Sequence, residues 1–173
     1  MIRRTARVFA TTILAVGLLT LATSSDVVAG SKDDEAKKYT EQLKTTKDTK
    51  EKIKAIEKLG ALAQINKKLG ADALPDIKTA LKDKDAGIRN AAAKAYGQCD
   101  PDDKDAVASL IDILKNDADE SVKLSAALGL AAMGEKATDA LPALKSALTS
   151  AKNGMDKNTY RSAVTSIAVQ KKK

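Results

Sequence analysis

Apolar residues recur along this chain with a helical period, in two alternating kinds of stripe. Leu74, Ile77, Ala80 and Leu81 stand at i, i+3, i+6 and i+7, which puts them on one face of a 3.6-residue turn. Pro75 sits where the first turn of that helix would be, a place where a missing N–H costs nothing. A second stripe, Ile88, Ala91, Ala92 and Ala95, predicts another helix directly downstream. Short Asp-bearing links separate the stripes, and Asp85, Asp103, Asp119 and Asp139 are the expected N-caps. Gly97 and Gly134 are read as helix stops. Small apolar side chains let helices approach closely, and the aromatics a β-sandwich would want are nearly absent, so the fold class expected is all-α.

Laid on itself, the chain repeats. Residues 72–81 (DALPDIKTAL) return at 139–148 (DALPALKSAL), an offset of 67 with seven of ten positions identical. A weaker copy at Ala106–Leu114 lies about midway. Asp85–Tyr96 matches Asp119–Leu130 at an offset of 34, and Tyr160–Val164 after Asp156 is a shorter third copy. Upstream, Lys50–Gly60 carries Ile53, Ile56 and Leu59 and reads as a degenerate first copy of unfixed register. The unit is a pair of antiparallel helices recurring every 33 to 38 residues. One such pair cannot bury its own apolar face, so the pairs must stack.

The residues Asp85…Ile88-Arg89…Ala92-Ala93…Tyr96-Gly97 and Asp119…Val122-Lys123…Ala126-Ala127…Leu130 resemble HEAT repeats, especially the short kind of the phycobilisome-lyase-like type. That resemblance implies a right-handed α-solenoid of three to four antiparallel helix pairs, a HEAT-like superhelix with the second helices lining the concave side. It also implies an Asp/Arg ladder along the turns: Asp83 or Asp85 with Arg89, and Asp117 or Asp119 with Lys123. In the fourth copy Arg161 is kept, but Met155 stands six residues before it and Asp156 is one place off.

The two ends differ from this body. Arg3, Arg4 and Arg7 precede an uncharged stretch, Val8–Ser25, and Val27-Val28-Ala29 brings modest side chains before Gly30. A basic start, a short apolar run and such a site form a secretory signal peptide over 1–29. An uncleaved anchor is the alternative, because the uncharged run just reaches spanning length. The expected organisation is then a charged segment at 30–45, the repeat domain at 46–170 and a basic tail at 171–173. The protein is expected to be exported, either periplasmic or secreted.

Composition narrows the chemistry. Of 173 residues, 43% are hydrophobic, only four are aromatic and none is His. Zinc hydrolase sites and Ser-His-Asp triads are thereby excluded, and the core is expected to be Ala, Leu, Ile and Val. The net charge is +7; losing the first 29 residues removes three Arg and Asp26, leaving +5, of which Lys171–Lys173 supply three. A nearly neutral body without interleaved aromatics is a poor nucleic-acid reader. Cys99 has no internal partner, and its readings are a small buried residue or an intermolecular disulfide. The acidic loop Asp100–Asp105 lacks the Gly and closing Glu of an EF-hand and is read as helix capping.

One feature points to binding. Ser121–Met133 is small or apolar almost all round, with Lys123 its single charge. Leu124 and Leu128 correspond to Asn90 and Lys94 in the preceding repeat, and to Ser162 and Ser166 in the next. These six residues form the expected partner-binding face, with an apolar centre and a polar rim. Burial of both leucines by solenoid curvature is the competing reading. The expectation is an exported, non-enzymatic module that presents a concave helical surface to an unidentified protein or peptide. No cofactor, nucleic-acid partner or membrane partner is expected after signal cleavage, and the chain is expected to be a monomer or weak homo-oligomer. The alternatives are a lyase- or chaperone-like accessory factor for a prosthetic group, and a self-associating envelope structural protein.

Overall fold

The structure is a computed structural model that describes residues 24–100 and 102–170. Most of the expected signal segment and the Lys171–Lys173 tail lie outside the described residues. Helix follows helix: α1 (Ser24–Thr45), α2 (Thr49–Ile65), α3 (Lys68–Ala71), α4 (Leu74–Ala80), α5 (Ala86–Cys99), α6 (Lys104–Asn116), α7 (Glu120–Met133), a 3-10 segment (Gly134–Ala140), α8 (Leu141–Ser150) and α9 (Gly154–Gln170). No strand occurs among the described residues.

These helices form four stacked pairs: α1/α2, α3–α4/α5, α6/α7 and α8/α9. The second helices α2, α5, α7 and α9 lie side by side in one layer, while the first helices approach one another less closely. That difference bends a two-layer stack with its second helices inside. The fold is an all-α solenoid of the expected kind.

Side-chain caps set the frame. Asp48 accepts from Glu51 N, Asp85 from Ile88 N, Asp103 from Asp105 N and Asp119 from Ser121 N. Each cap satisfies a backbone donor that a helix start leaves open and is worth about 1 kcal/mol. The Asp48 cap fixes the register of the first repeat, which the sequence left open. Asp139 is not a cap. It lies inside the 3-10 segment, which runs straight into α8 behind Ala140. In the fourth repeat, Asn153 Oδ1 accepts from Asp156 N at 2.8 Å, so the second helix starts at Asn153 rather than after Asp156.

The two glycines read as stops part company. Gly134 has φ 58° at the end of α7 and does stop that helix. Gly97 lies within α5 and is buried. A Cβ there would run into the carbonyl of Gly129, and one at Gly129 would stand 2.5 Å from Ala93 O. The pair is therefore a close crossing of α5 over α7, possible only without side chains. A Cβ at Gly60 would likewise come within 3.0 Å of the Ala95 Cβ, so small residues let the second helices approach throughout this part of the stack.

The core is one cluster running the length of the array, with Ile56, Leu59, Ile77, Leu110, Leu130, Leu144 and Ile167 fully enclosed. It is not free of rings, as composition led us to expect. All three tyrosines are buried, and two of them fill the gap between helix pairs while the hydroxyl reaches a carboxylate. Tyr96 donates to Asp103 at 3.3 Å and Tyr160 to Glu120 at 2.7 Å. Burial and the neighbouring Asp103 push the Tyr96 hydroxyl up to about 12.

Residues 30–45 lie within α1, which buries Ala36, Tyr39 and Leu43 in the common core. The charged positions of that segment are its outer face. The expected cleavage point after Ala29 falls in α1 ahead of these buried side chains, so cleavage there would leave the packed face intact. Among the described residues, no helix is long and apolar enough to cross a membrane.

Candidate interaction surface

Counting from the second-helix caps Asp48, Asp85, Asp119 and Asn153 lines up the second helices in rows across the inner layer. Nine residues after the caps stand Glu57, Lys94, Leu128 and Ser162. Five residues after them stand Ile53, Asn90, Leu124 and Asn158, and thirteen after them Ala61, Gln98, Ala132 and Ser166. The face thus changes character along the stack, from charged to apolar to hydroxyl-bearing.

The six residues expected to bind a partner fare differently. Lys94 is exposed and borders a shallow groove of about 250 Å³ between α2 and α5, floored by Ala61, Ala91 and Ala95 with Glu57 opposite. Asn90 is half-buried, and its amide donates to Ser121 O at 3.0 Å, which ties α5 to α7 rather than facing a ligand. Leu124 is half-buried and packs on the core. Leu128 is 41% exposed, the one large apolar side chain of its row. Ser162 is exposed and Ser166 half-buried, on a stripe of α9 with Asn158, Thr165 and Val169. With Asn153 as the cap, Ser162 is level with Leu128 and Ser166 with Ala132, one turn away from the sequence alignment. So curvature covers one leucine and leaves the other open.

The ladder also differs from its sequence form. Arg89 Nε and Nη2 donate to the two carboxylate oxygens of Asp117 at 2.8 and 3.0 Å, and Nη1 donates to the main-chain oxygens of Asp83 and Lys84. The rung therefore joins a cation to the following repeat, not to the acid before it. A side chain four residues past its cap has already climbed a turn and reaches sideways. Asp85 and Asp119 are occupied as caps. Lys123 meets Glu120 at 3.5 Å on its own helix, and Arg161 donates to the Asn158 amide oxygen. The hydrogen bond from Arg89 holds the Asp117 carboxyl below the usual range, and hydrogen bonds from Ser121 do the same for Asp119.

Cys99 is buried, and its sulfur packs against Gly70. Burial and Asp100 push its thiol up to about 12, the state of an inert packing residue rather than a reactive one. In the acidic loop, Asp103 caps α6, and Asp102 pairs with Lys67 at 2.6 Å and faces Lys136 at 4.0 Å. Among the described residues no cluster of three His, Cys, Asp or Glu is placed to hold a metal. Sequence reading missed Glu57, Asn158, Ala132 and Gln98. Placing Glu57 and Asn158 needed Asp48 and Asn153, the two caps outside the recognised copies, whereas Gln98 and Ala132 lie one turn beyond the row read from the caps Asp85 and Asp119.

Comparison with known proteins agrees with this architecture. No curated protein matches the chain. The family model of HEAT repeats matches residues 36–131, from the buried face of α1 into α7. The capped helix pairs, the inner layer of second helices and that match together make this chain a member of the HEAT-repeat family, whose repeats point to a protein-interaction scaffold.

Proposed function

We propose that the protein is an exported, non-enzymatic interaction module that holds a protein or peptide segment against its second-helix face. The observation that carries this reading is Leu128: a large apolar side chain, open to solvent, midway along an otherwise polar row between Lys94 and Ser162. An apolar anchor inside a polar rim is how binding hot spots are built. A rigid scaffold also spares the partner's site the cost of ordering itself. The bound segment would place an apolar side chain on Leu128 and polar groups toward Lys94 and Ser162. Export rests on the basic start, apolar run and small-residue site of the first 29 residues.

Photocrosslinking from a probe beside Leu128 in the native envelope fraction, for wild type and Leu128→Asp, tests the reading. One specific adduct present in the wild type and lost in the variant supports it, provided both melt alike, as an exposed position requires. An adduct that survives the charge removes Leu128 from the site. A visible absorption band in the purified protein would instead favour the accessory role for a prosthetic group.

A further inference from the structure

The turn edge of the stack repeats a second arrangement, and one copy of it is incomplete. Two residues before each of the first three second-helix caps stands a side chain that accepts the cap's own N–H: Thr46 for Asp48, Asp83 for Asp85 and Asp117 for Asp119. Four residues after each cap stands a cation, namely Lys52, Arg89 and Lys123. The first two cations each face the acceptor of the following repeat. Lys52 Nζ lies 3.8 Å from Asp83, and Arg89 grips Asp117 through two bonds. For Lys123 the acceptor would stand two residues before Asn153, and that residue is Ala151. The backbone there matches the complete copy: φ −62° and ψ 130° at Ala151, against −64° and 141° at Asp117. Only the carboxylate is missing.

A cleft of about 740 Å³ opens at this place, with Lys123 and Ala151 both on its wall. Leu114, Ala143 and Ala147 give it an apolar floor, and Lys115 and Lys152 stand at its rim. Its two acids are already engaged. Glu120 accepts from Tyr160 and lies beside Lys123, while Asp156 accepts from the Asn153 amide at 2.6 Å. Among the described residues, Lys115 and Lys152 pair with no carboxylate. Three lysines against two acids leave the cleft positive.

We propose that this cleft docks an acidic peptide segment of a partner protein, whose Asp or Glu side chain comes beside Lys123 and completes the rung that Ala151 leaves open. Asp117 on Arg89 is the internal template for the bound carboxylate, and the apolar floor takes a small apolar neighbour of that acid. Lys suits an exchangeable occupant. Its ammonium is a hydrated point charge, whereas the Arg89 guanidinium locks its carboxylate with two bonds in a fixed plane. The site lies on the turn edge and does not depend on Leu128.

The test is an NMR titration of the isotopically labelled full chain with a blocked Glu-Ala-Glu-Ala peptide. The backbone amides of Lys123, Ala151 and Asn153 are expected to shift and saturate. Lys123→Ala should weaken binding at least about fivefold. Ala151→Asp fills the cleft from within, so it should abolish binding while raising Tm by about 2 to 4 °C. Leu128→Asp should leave this titration unchanged, which separates the fate of this site from that of the second-helix face. Four results would each overturn the proposal: shifts spread over the lysines of α1 and α2, equal saturation by sulfate at the same ionic strength, undiminished binding to Ala151→Asp, or light scattering that shows a second copy of the chain taking the place.

Discussion

Two junctions of the same stack, between repeats two and three and between repeats three and four, are built from the same parts and closed to different degrees. At the first, the Arg89 and Asp117 side chains are only 17% and 8% exposed. Asn90 adds a bond to Ser121 O, and Gly97 lets α5 press against Gly129. At the second, Lys123 faces Ala151 across an open cleft, and the Tyr160–Glu120 bond crosses the gap. The backbone at the turn is nearly unchanged between the two. A repeat protein can thus vary the tightness of its joints through the side chains placed at them while the turn backbone stays the same. Stability is local to each interface in such an array, so the two joints should answer mutation separately.

The largest effect expected is from Gly97→Val. Its side chain would meet the Gly129 backbone, which cannot swing aside as a flexible side chain would. Forced overpacking of this kind costs about 3 kcal/mol, read as a drop in the urea midpoint. A loss under about 1 kcal/mol would mean that α5 and α7 separate freely, and the contrast between the joints would then not rest on close approach.

Next comes Asp117→Ala. It strands Arg89 against two main-chain carbonyls and removes the acceptor of Asp119 N. Losing one partner of a mostly covered ion pair should cost about 2 kcal/mol at pH 7. The pH dependence carries its own sign. Arg89 holds the folded-state pKa of Asp117 below its unfolded value, so the stabilisation is fully present above about pH 4 and is lost as pH falls through the folded value. Melting curves of wild type and Asp117→Ala should therefore converge in acid. A gap that stays constant down to pH 2 would show that the carboxylate charge is not what closes the joint.

Much of this comparison could be read from the sequence, and the part that could not has physical causes. Ile88, Ala91, Ala92 and Ala95 were expected on one face and are all buried, because a 3.6-residue stripe has little choice once pairs stack. Asp85, Asp103 and Asp119 cap as their position before apolar runs required. Gly97 misled because glycine serves both to end a helix and to let two helices touch, and sequence alone does not say which. Lys123 and Arg161 were placed on rungs because a repeat pattern gives distance along the chain, not the neighbour across the joint. Asn90 and Leu124 were assigned to the surface on register alone. A side chain five residues past its cap sits at the border between the open face and the next helix, where a short polar group finds a carbonyl and a leucine finds the core.

The smallest effect is expected at the joint that lacks its rung. Lys123→Ala removes the counterpart of Arg89, yet its ionic partner is Glu120, 51% exposed and a turn away on the same helix. Such pairs contribute a few tenths of a kcal/mol, and Glu120 keeps its bond from Tyr160 when the lysine is gone. Urea unfolding should therefore place Lys123→Ala within about 0.5 kcal/mol of wild type, well short of Asp117→Ala. Equal losses for the two variants would mean that the lysine closes its joint by some other contact, and the two junctions would be alike after all. Unequal losses mean that the stack does not depend on Lys123 for its own stability. A cation that the fold can spare, lining a cleft where its predecessor holds a carboxylate, is free to be used by something from outside.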